Sequence, residues 1–156
     1  ELQLKWPNDV LHSGKKLAGI LLELQQKEGA RFIVFGVGVN IALSADSQAS
    51  IDRPVTDLNG IITELPSRVV LLAALLNCLC RNLATYEEGG FAAFRERWNS
   101  LDCYRGQDIE IENGHSRLVG KSLGVDADGS LLLQTEQGTQ SINGGEVFPS
   151  LRPLSE

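Results

Sequence analysis

Methionine is absent from the 156 residues, and cysteine (three), histidine (two), tryptophan (two) and tyrosine (two) are scarce. With no initiator methionine, and with Glu1-Leu2-Gln3-Leu4 already alternating like a strand, the chain is expected to be part of a longer protein. The cysteines give no metal signature. Cys78 and Cys80 lie two apart in an apolar helical run with no histidine or cysteine cluster beside them, so no metal ligands are assigned. All three are expected to be reduced and mostly buried, in a cytoplasmic protein. The longest apolar run, Val69 to Leu76, is too short to cross a bilayer, and no signal-peptide pattern opens the chain. Positive charge is also short: 14 Lys and Arg face 20 Asp and Glu, for a net charge of −6 and a pI near 4.9. That balance argues against a nucleic-acid-binding surface over the whole chain, although a local basic patch is compatible with it.

What is present fits a globular protein with a core: 42% hydrophobic and 22% charged residues. One stretch concentrates polar chemistry. Lys5-Trp6-Pro7-Asn8-Asp9 leads through a turn, His12-Ser13-Gly14-Lys15, into Lys16-Leu17-Ala18-Gly19-Ile20-Leu21-Leu22-Glu23. Leu2–Asp9 reads as a strand, and Lys16–Gln25 as its hairpin partner. Asp9 is then expected within a residue or two of being opposite Lys16 or Leu17, close enough for an ion pair. A lysine held by a carboxylate at the root of an apolar strand is suited to meet an anion. An ordinary surface hairpin explains the same residues equally well, since isolated surface pairs contribute little.

Arg31–Ile41 is a β-branched and aromatic run interrupted by Gly36 and Gly38, which precede the polar Asn40 within it. Glycines inside a strand mark close approach by a ligand or another backbone, or a bulge near the sheet end with Asn40 satisfying local backbone. Leu43–Leu58 is small and polar and reads as a long loop. Ser67 is the expected N-cap of a helix carrying Val69, Leu72, Leu76, Leu79, Leu83 and Tyr86 at helical spacing, ended by Gly89-Gly90. A short second helix carries Phe91, Phe94, Trp98 and Leu101; both apolar faces are expected to be core. Beyond Asp102 the texture changes to short alternating strands with turns at Asn113-Gly114, Asp126-Ala127-Asp128-Gly129 and Gln137-Gly138, the pattern of a small antiparallel barrel.

Taken together, Lys5-Trp6-Pro7-Asn8-Asp9, Lys16-Leu17-Ala18-Gly19-Ile20-Leu21-Leu22-Glu23, Gly36-Val37-Gly38-Val39-Asn40 and a terminal barrel ending in Gly144-Gly145-Glu146 resemble the C-terminal half of a biotin–protein ligase (biotin–[acetyl-CoA carboxylase] ligase). The resemblance implies an α+β fold: a mixed, largely antiparallel sheet backed by helices over residues 1–101, then an SH3-like barrel over 102–156. It implies ATP-dependent attachment of biotin, through biotinyl-AMP, to a specific lysine of the biotin-carrier domain of a carboxylase, assisted by magnesium. It places Lys16 on biotin's carboxylate and the acyl-phosphate oxygens, with Asp9 holding Lys16 and helping to deprotonate the incoming amine. Lys5 and Asn8 would serve the phosphates, Gly19 would admit the biotin tail, and Asn40 would sit at the nucleotide or its metal. Glu146 and Arg152 would face the nucleotide or carrier, and the Leu43–Leu58 loop would close over the adenylate.

The family's Gly/Arg-rich biotin loop has no counterpart here and is expected upstream of Glu1. The 156 residues alone are therefore expected to bind biotin poorly and to make no biotinyl-AMP. Two other readings stay open: a lipoate or octanoyl transferase, which shares the catalytic fold, and a biotin-sensing transcriptional repressor that forms a homodimer through a sheet edge. The chain itself offers nothing for DNA binding or for a membrane.

Overall fold

Residues 1–113 and 116–149 are described by the computed structural model of the chain. Contacts divide it into two units, Glu1–Leu65 and Pro66–Glu156. The boundary expected after Leu101 falls inside the second of these.

The first unit is a four-stranded antiparallel sheet in the order β1 (Leu2–Lys5), β2 (Asp9–His12), β3 (Lys15–Lys27) and β4 (Ala30–Val39). Leu2–Asp9 is thus two strands rather than one. The chain reverses at Trp6-Pro7, whose peptide bond is cis, and Lys5 comes back opposite Asp9. Proline has no N–H to give a sheet ladder, which is why a strand read straight through Pro7 fails. Trp6, Leu11, Leu17 and Ala18 form the buried apolar part of this unit.

The bulge expected near Gly36 and Gly38 lies elsewhere, because β4 pairs in unbroken register with β3 through both glycines. The irregularity is between β2 and β3. Val10 faces Ala18 while Leu11 faces Lys16, so Leu17 is the extra residue.

The polar stretch after β4 is not all loop. Ser44 accepts from the Ser47 amide and caps α1 (Ala45–Ser50). Farther on, Val55 forms a parallel bridge with Lys16, so the chain extends the sheet past the end of β4.

The second unit opens with α2 (Arg68–Gly89), N-capped by Ser67 and stopped at Gly90, as its sequence predicts. Its apolar residues are not core. α2 buries none of them, and Val69 is 75% exposed. Apolar residues occur around most of its circumference, the composition of a helix covered on several sides, and the elements of its own unit do not cover it. By length and composition alone α2 suffices to span a bilayer, its most apolar 18-residue window having a mean hydropathy of 1.6, which the short run Val69–Leu76 does not reveal. Nor are the cysteines mostly buried: Cys78 and Cys80 are exposed and Cys103 is half-buried.

A 3-10 turn (Phe91–Ala93) and α3 (Arg95–Leu101) follow, with Phe91, Phe94, Trp98 and Leu101 half-buried. The remaining strands are β5 (Asp108–Asn113), β6 (Ser116–Val125), β7 (Leu131–Thr135), β8 (Gly138–Ile142) and β9 (Glu146–Pro149). They make a five-stranded antiparallel sheet in the order β8-β7-β6-β5-β9. Strict alternation sends Ile109 and Ile111 inward to meet Val125, Leu131, Leu133, Ile142 and Val147, all buried. Asn99 fastens α3 to this sheet. Its amide oxygen accepts from the Val125 N–H at 2.8 Å, and its amide nitrogen donates to the Val125 carbonyl at 3.2 Å, where the Arg95 guanidinium also donates. The approach is so close that a Cβ on Gly124, itself at φ +94°, would collide with Asn99 Oδ1.

The observed class is therefore α+β with antiparallel sheets, as expected. The turn at Asn113-Gly114 lies partly, and Arg152 wholly, outside the described residues.

Candidate active site

The site is built on the face of the first sheet that carries Asp9. Register sets one cross-strand row of Lys5, Asp9, Gly19 and Gly38, and the next row on that face pairs Leu21 with Gly36. Lys16 joins them because of the bulge. In an unbroken strand Lys16 would share a face with Ala18 and point away from Gly19. One extra residue at Leu17 turns it back to the side of Asp9. The ammonium of Lys16 then lies 2.5 Å from Asp9 Oδ1, with the side chains 26% and 13% exposed. The expected ion pair is present, but diagonally, since the residue directly opposite Asp9 is Gly19.

Gly19 has a definite use in this arrangement. A Cβ there would stand 3.2 Å from Lys16 Nζ and 3.4 Å from Asp9 Oδ1. The ion pair therefore lies across a bare backbone. Gly36 and Gly38, spaced by two, leave the same face bare beyond it, and a Cβ on Gly38 would meet nothing closer than the Gly19 carbonyl at 3.9 Å. The result is a half-buried ammonium beside an open glycine floor.

The backbone of Lys16 is held as firmly as its side chain. Its N–H donates to the Pro54 carbonyl at 2.9 Å, and its carbonyl accepts from the Thr56 N–H at 3.0 Å. The Asn40 amide nitrogen donates to that same carbonyl at 3.2 Å and to the Thr56 carbonyl at 3.1 Å. Asn40 is thus a clamp between β3 and the segment after α1, with its Oδ1 as the atom left over.

Asn8 is likewise turned to the backbone: its amide donates to the Ile20 carbonyl at 2.7 Å, and the Ile20 N–H donates to the Asn8 carbonyl. Lys5 is half-buried in the same row as Asp9. Glu146 belongs to β9 of the second unit.

Sequence reading missed Asp57. It is 8% exposed, and its two carboxylate oxygens accept from the Leu43 N–H at 2.6 Å and the Gly60 N–H at 2.9 Å. The Leu43 amide, and then that of Gly60, hold its carboxyl below the ordinary carboxylate range against the smaller opposing effect of burial. The signal was only a polar residue inside Thr56-Asp57-Leu58, where its partners lie 14 residues back and 3 ahead.

A magnesium ion favours several oxygen ligands, usually carboxylates, phosphates and water. Among the described residues no three His, Cys, Asp or Glu side chains gather to hold one. Asp57 spends both oxygens on backbone amides and Asp9 Oδ1 is tied to Lys16, while Asn40 Oδ1 is an oxygen donor beside the clamp.

Comparison with known proteins bears on both ends of the chain. Residues 1–40 match the Biotin/lipoate A/B protein ligase family, and residues 105–148 match the Biotin protein ligase C terminal domain. Both ends of the chain are thus similar to biotin protein ligases. It is 33% identical over 150 residues to a biotin–[acetyl-CoA-carboxylase] ligase of Paracoccus denitrificans, covering 94% of this chain and 62% of that one. It is also 33% identical over 148 residues to the bifunctional ligase/repressor BirA of Escherichia coli K12, covering 94% and 46%. The biotin protein ligase of Aquifex aeolicus without ligand superposes with a TM-score of 0.81 at 29% identity, covering 94% and 64%. The same enzyme in complex with biotin and ATP gives 0.78. The chain thus spans about half to two thirds of the length of these ligases.

Proposed function

We propose that this chain supplies the anion-facing part of a biotin protein ligase that attaches biotin, at the expense of ATP, to a lysine of a biotin-carrier domain. The observation that carries the reading is the Lys16 ammonium, held by Asp9 over the floor of Gly19, Gly36 and Gly38.

Activation brings biotin's carboxylate onto the α-phosphorus of ATP, releasing pyrophosphate. Negative charge gathers where a carboxylate oxygen and phosphate oxygens converge, and a fixed ammonium stabilises that arrangement more than it stabilises either reactant apart. Asp9 holds the ammonium in place, so little reorganisation is needed during the reaction. The glycine floor lets an acyl chain lie against backbone where side chains would obstruct it. In the second step the carrier lysine's amine attacks the activated carbonyl and AMP leaves; Asp9 is the carboxylate nearest to the Lys16 end of the site for the amine's proton. The portion between Ser44 and Arg53 is long and exposed enough to cover the mixed anhydride and keep water out.

Biotin is preferred over lipoate because the match at 105–148 is to the C-terminal domain of biotin protein ligases, while the match at 1–40 is shared by both classes. Magnesium and a cytoplasmic location complete the proposal. So does a homodimer through β4, whose outer edge is long and poor in charge. We place no repressor function in these 156 residues, whose net charge of −6 gives no excess of positive charge for DNA. The test supplies the complete protein with ATP, a purified carrier domain and either labelled biotin or labelled lipoate. Transfer of biotin alone supports the proposal, and transfer of lipoate or of neither contradicts it.

A further inference from the structure

The Asp57 side chain hydrogen-bonds to the Leu43 and Gly60 amides rather than to Lys16, Asp9 or Asn40, yet it is a buried carboxylate with both oxygens engaged. Its partners define the neck of the excursion that leaves β4 and returns beside it. Leu58 N–H donates to the Asn40 carbonyl and Asn59 N–H to the Ile41 carbonyl, while the Asp57 side chain reaches across to Leu43 and forward to Gly60. Immediately before Asp57 come the groups that hold Lys16: Thr56 N–H on its carbonyl and the Pro54 carbonyl on its N–H. Asn40, on the other side of the neck, closes the same circuit through its amide.

Resting on the ligase reading, we propose that Asp57 is a positioning residue: by stapling the neck it fixes the 54–56 segment and Asn40 around Lys16, and so sets where the reactive ammonium stands. The path is contiguous through hydrogen bonds of 2.6 to 3.2 Å, and needs no movement of the glycine floor. Hydrogen bonds to an ionised acceptor are the stronger kind, so the carboxylate suits this task better than an amide would. Asparagine at this position keeps one acceptor and sets an N–H₂ against the second backbone N–H.

The test uses the complete protein with Asp57→Ala and the milder Asp57→Asn. Amide hydrogen exchange is followed at Lys16 and Thr56, with the amides of β6 and β7 as internal reference. The expected result is a loss of protection of roughly tenfold or more at Lys16 and Thr56, smaller in Asp57→Asn, with the reference unchanged. In biotin-dependent ATP–pyrophosphate exchange the same variants should lower kcat while leaving the KM for biotin near wild type. Unchanged protection at Lys16 overturns the proposal. So does an equal loss along all of β3 and β4, which would make Asp57 a general prop of the sheet. A fall confined to KM overturns it as well. A wild-type protein with no exchange activity would sink the ligase reading, while the amide measurement would still decide the role of Asp57.

Discussion

Lys16 Nζ lies 2.5 Å from Asp9 Oδ1, above the Cα of a glycine that directly faces Asp9 in the strand pairing. Two independent features produce that relationship. The bulge at Leu17 turns Lys16 to the correct face, and Gly19 leaves the space the ion pair occupies.

Gly19→Ala tests the second feature. A methyl group there would stand 3.2 Å from Nζ and 3.3 Å from Cε of Lys16, tighter than ordinary contact. The strand can absorb the alanine, so the melting temperature should change little. The ammonium should shift off Asp9, and biotin-dependent ATP–pyrophosphate exchange by the complete protein should fall by about tenfold or more. Normal exchange activity together with an undisturbed Lys16–Asp9 pair in a crystal structure of the variant would show that the bare Cα is incidental.

Gly124→Ala addresses the second unit. A Cβ there collides with Asn99 Oδ1, and the backbone is left-handed at φ +94°. Destabilisation of about 2 kcal/mol, from steric conflict and backbone strain together, is expected in urea unfolding. Asn99→Ala in the same chain should recover part of that loss, so the two changes should be non-additive. Additive losses would mean that α3 is not fastened to β6 through this contact.

Acid behaviour follows from Asp57. Backbone N–H donors hold its carboxyl below the ordinary range, so the folded state favours the charged form. Its contribution is complete above the unfolded value and disappears as pH falls through the lower folded value. The gap in melting temperature between wild type and Asp57→Asn should be constant above about pH 5 and should narrow below about pH 3. A gap independent of pH would show that the carboxylate's charge contributes nothing.

Much of this architecture is readable from residue order. The alternation of Asp108-Ile109-Glu110-Ile111, the Ser67 cap and the Gly90 stop act locally, within one or two turns of chain, and the structure keeps them. What depended on distant partners was not readable. The bulge at Leu17 exists only in the pairing of β3 with β2. The side-chain amide nitrogens of Asn8 and Asn40, residues to which the resemblance gives ligand roles, donate to backbone carbonyls 12, 16 and 24 residues away. The helical spacing of Val69, Leu72 and Leu76 identifies a helix correctly, but periodicity states only which residues share a face, not that anything covers them.

The central claim is that the Lys16 ammonium faces the charge that gathers when biotin is activated. Biotin-dependent ATP–pyrophosphate exchange by the complete protein, wild type against Lys16→Ala, tests it most directly. With circular dichroism and melting temperature unchanged, exchange should fall by roughly 100-fold or more, the scale of losing one aligned charge-stabilising donor. Exchange at the wild-type rate in a folded Lys16→Ala protein would contradict the account.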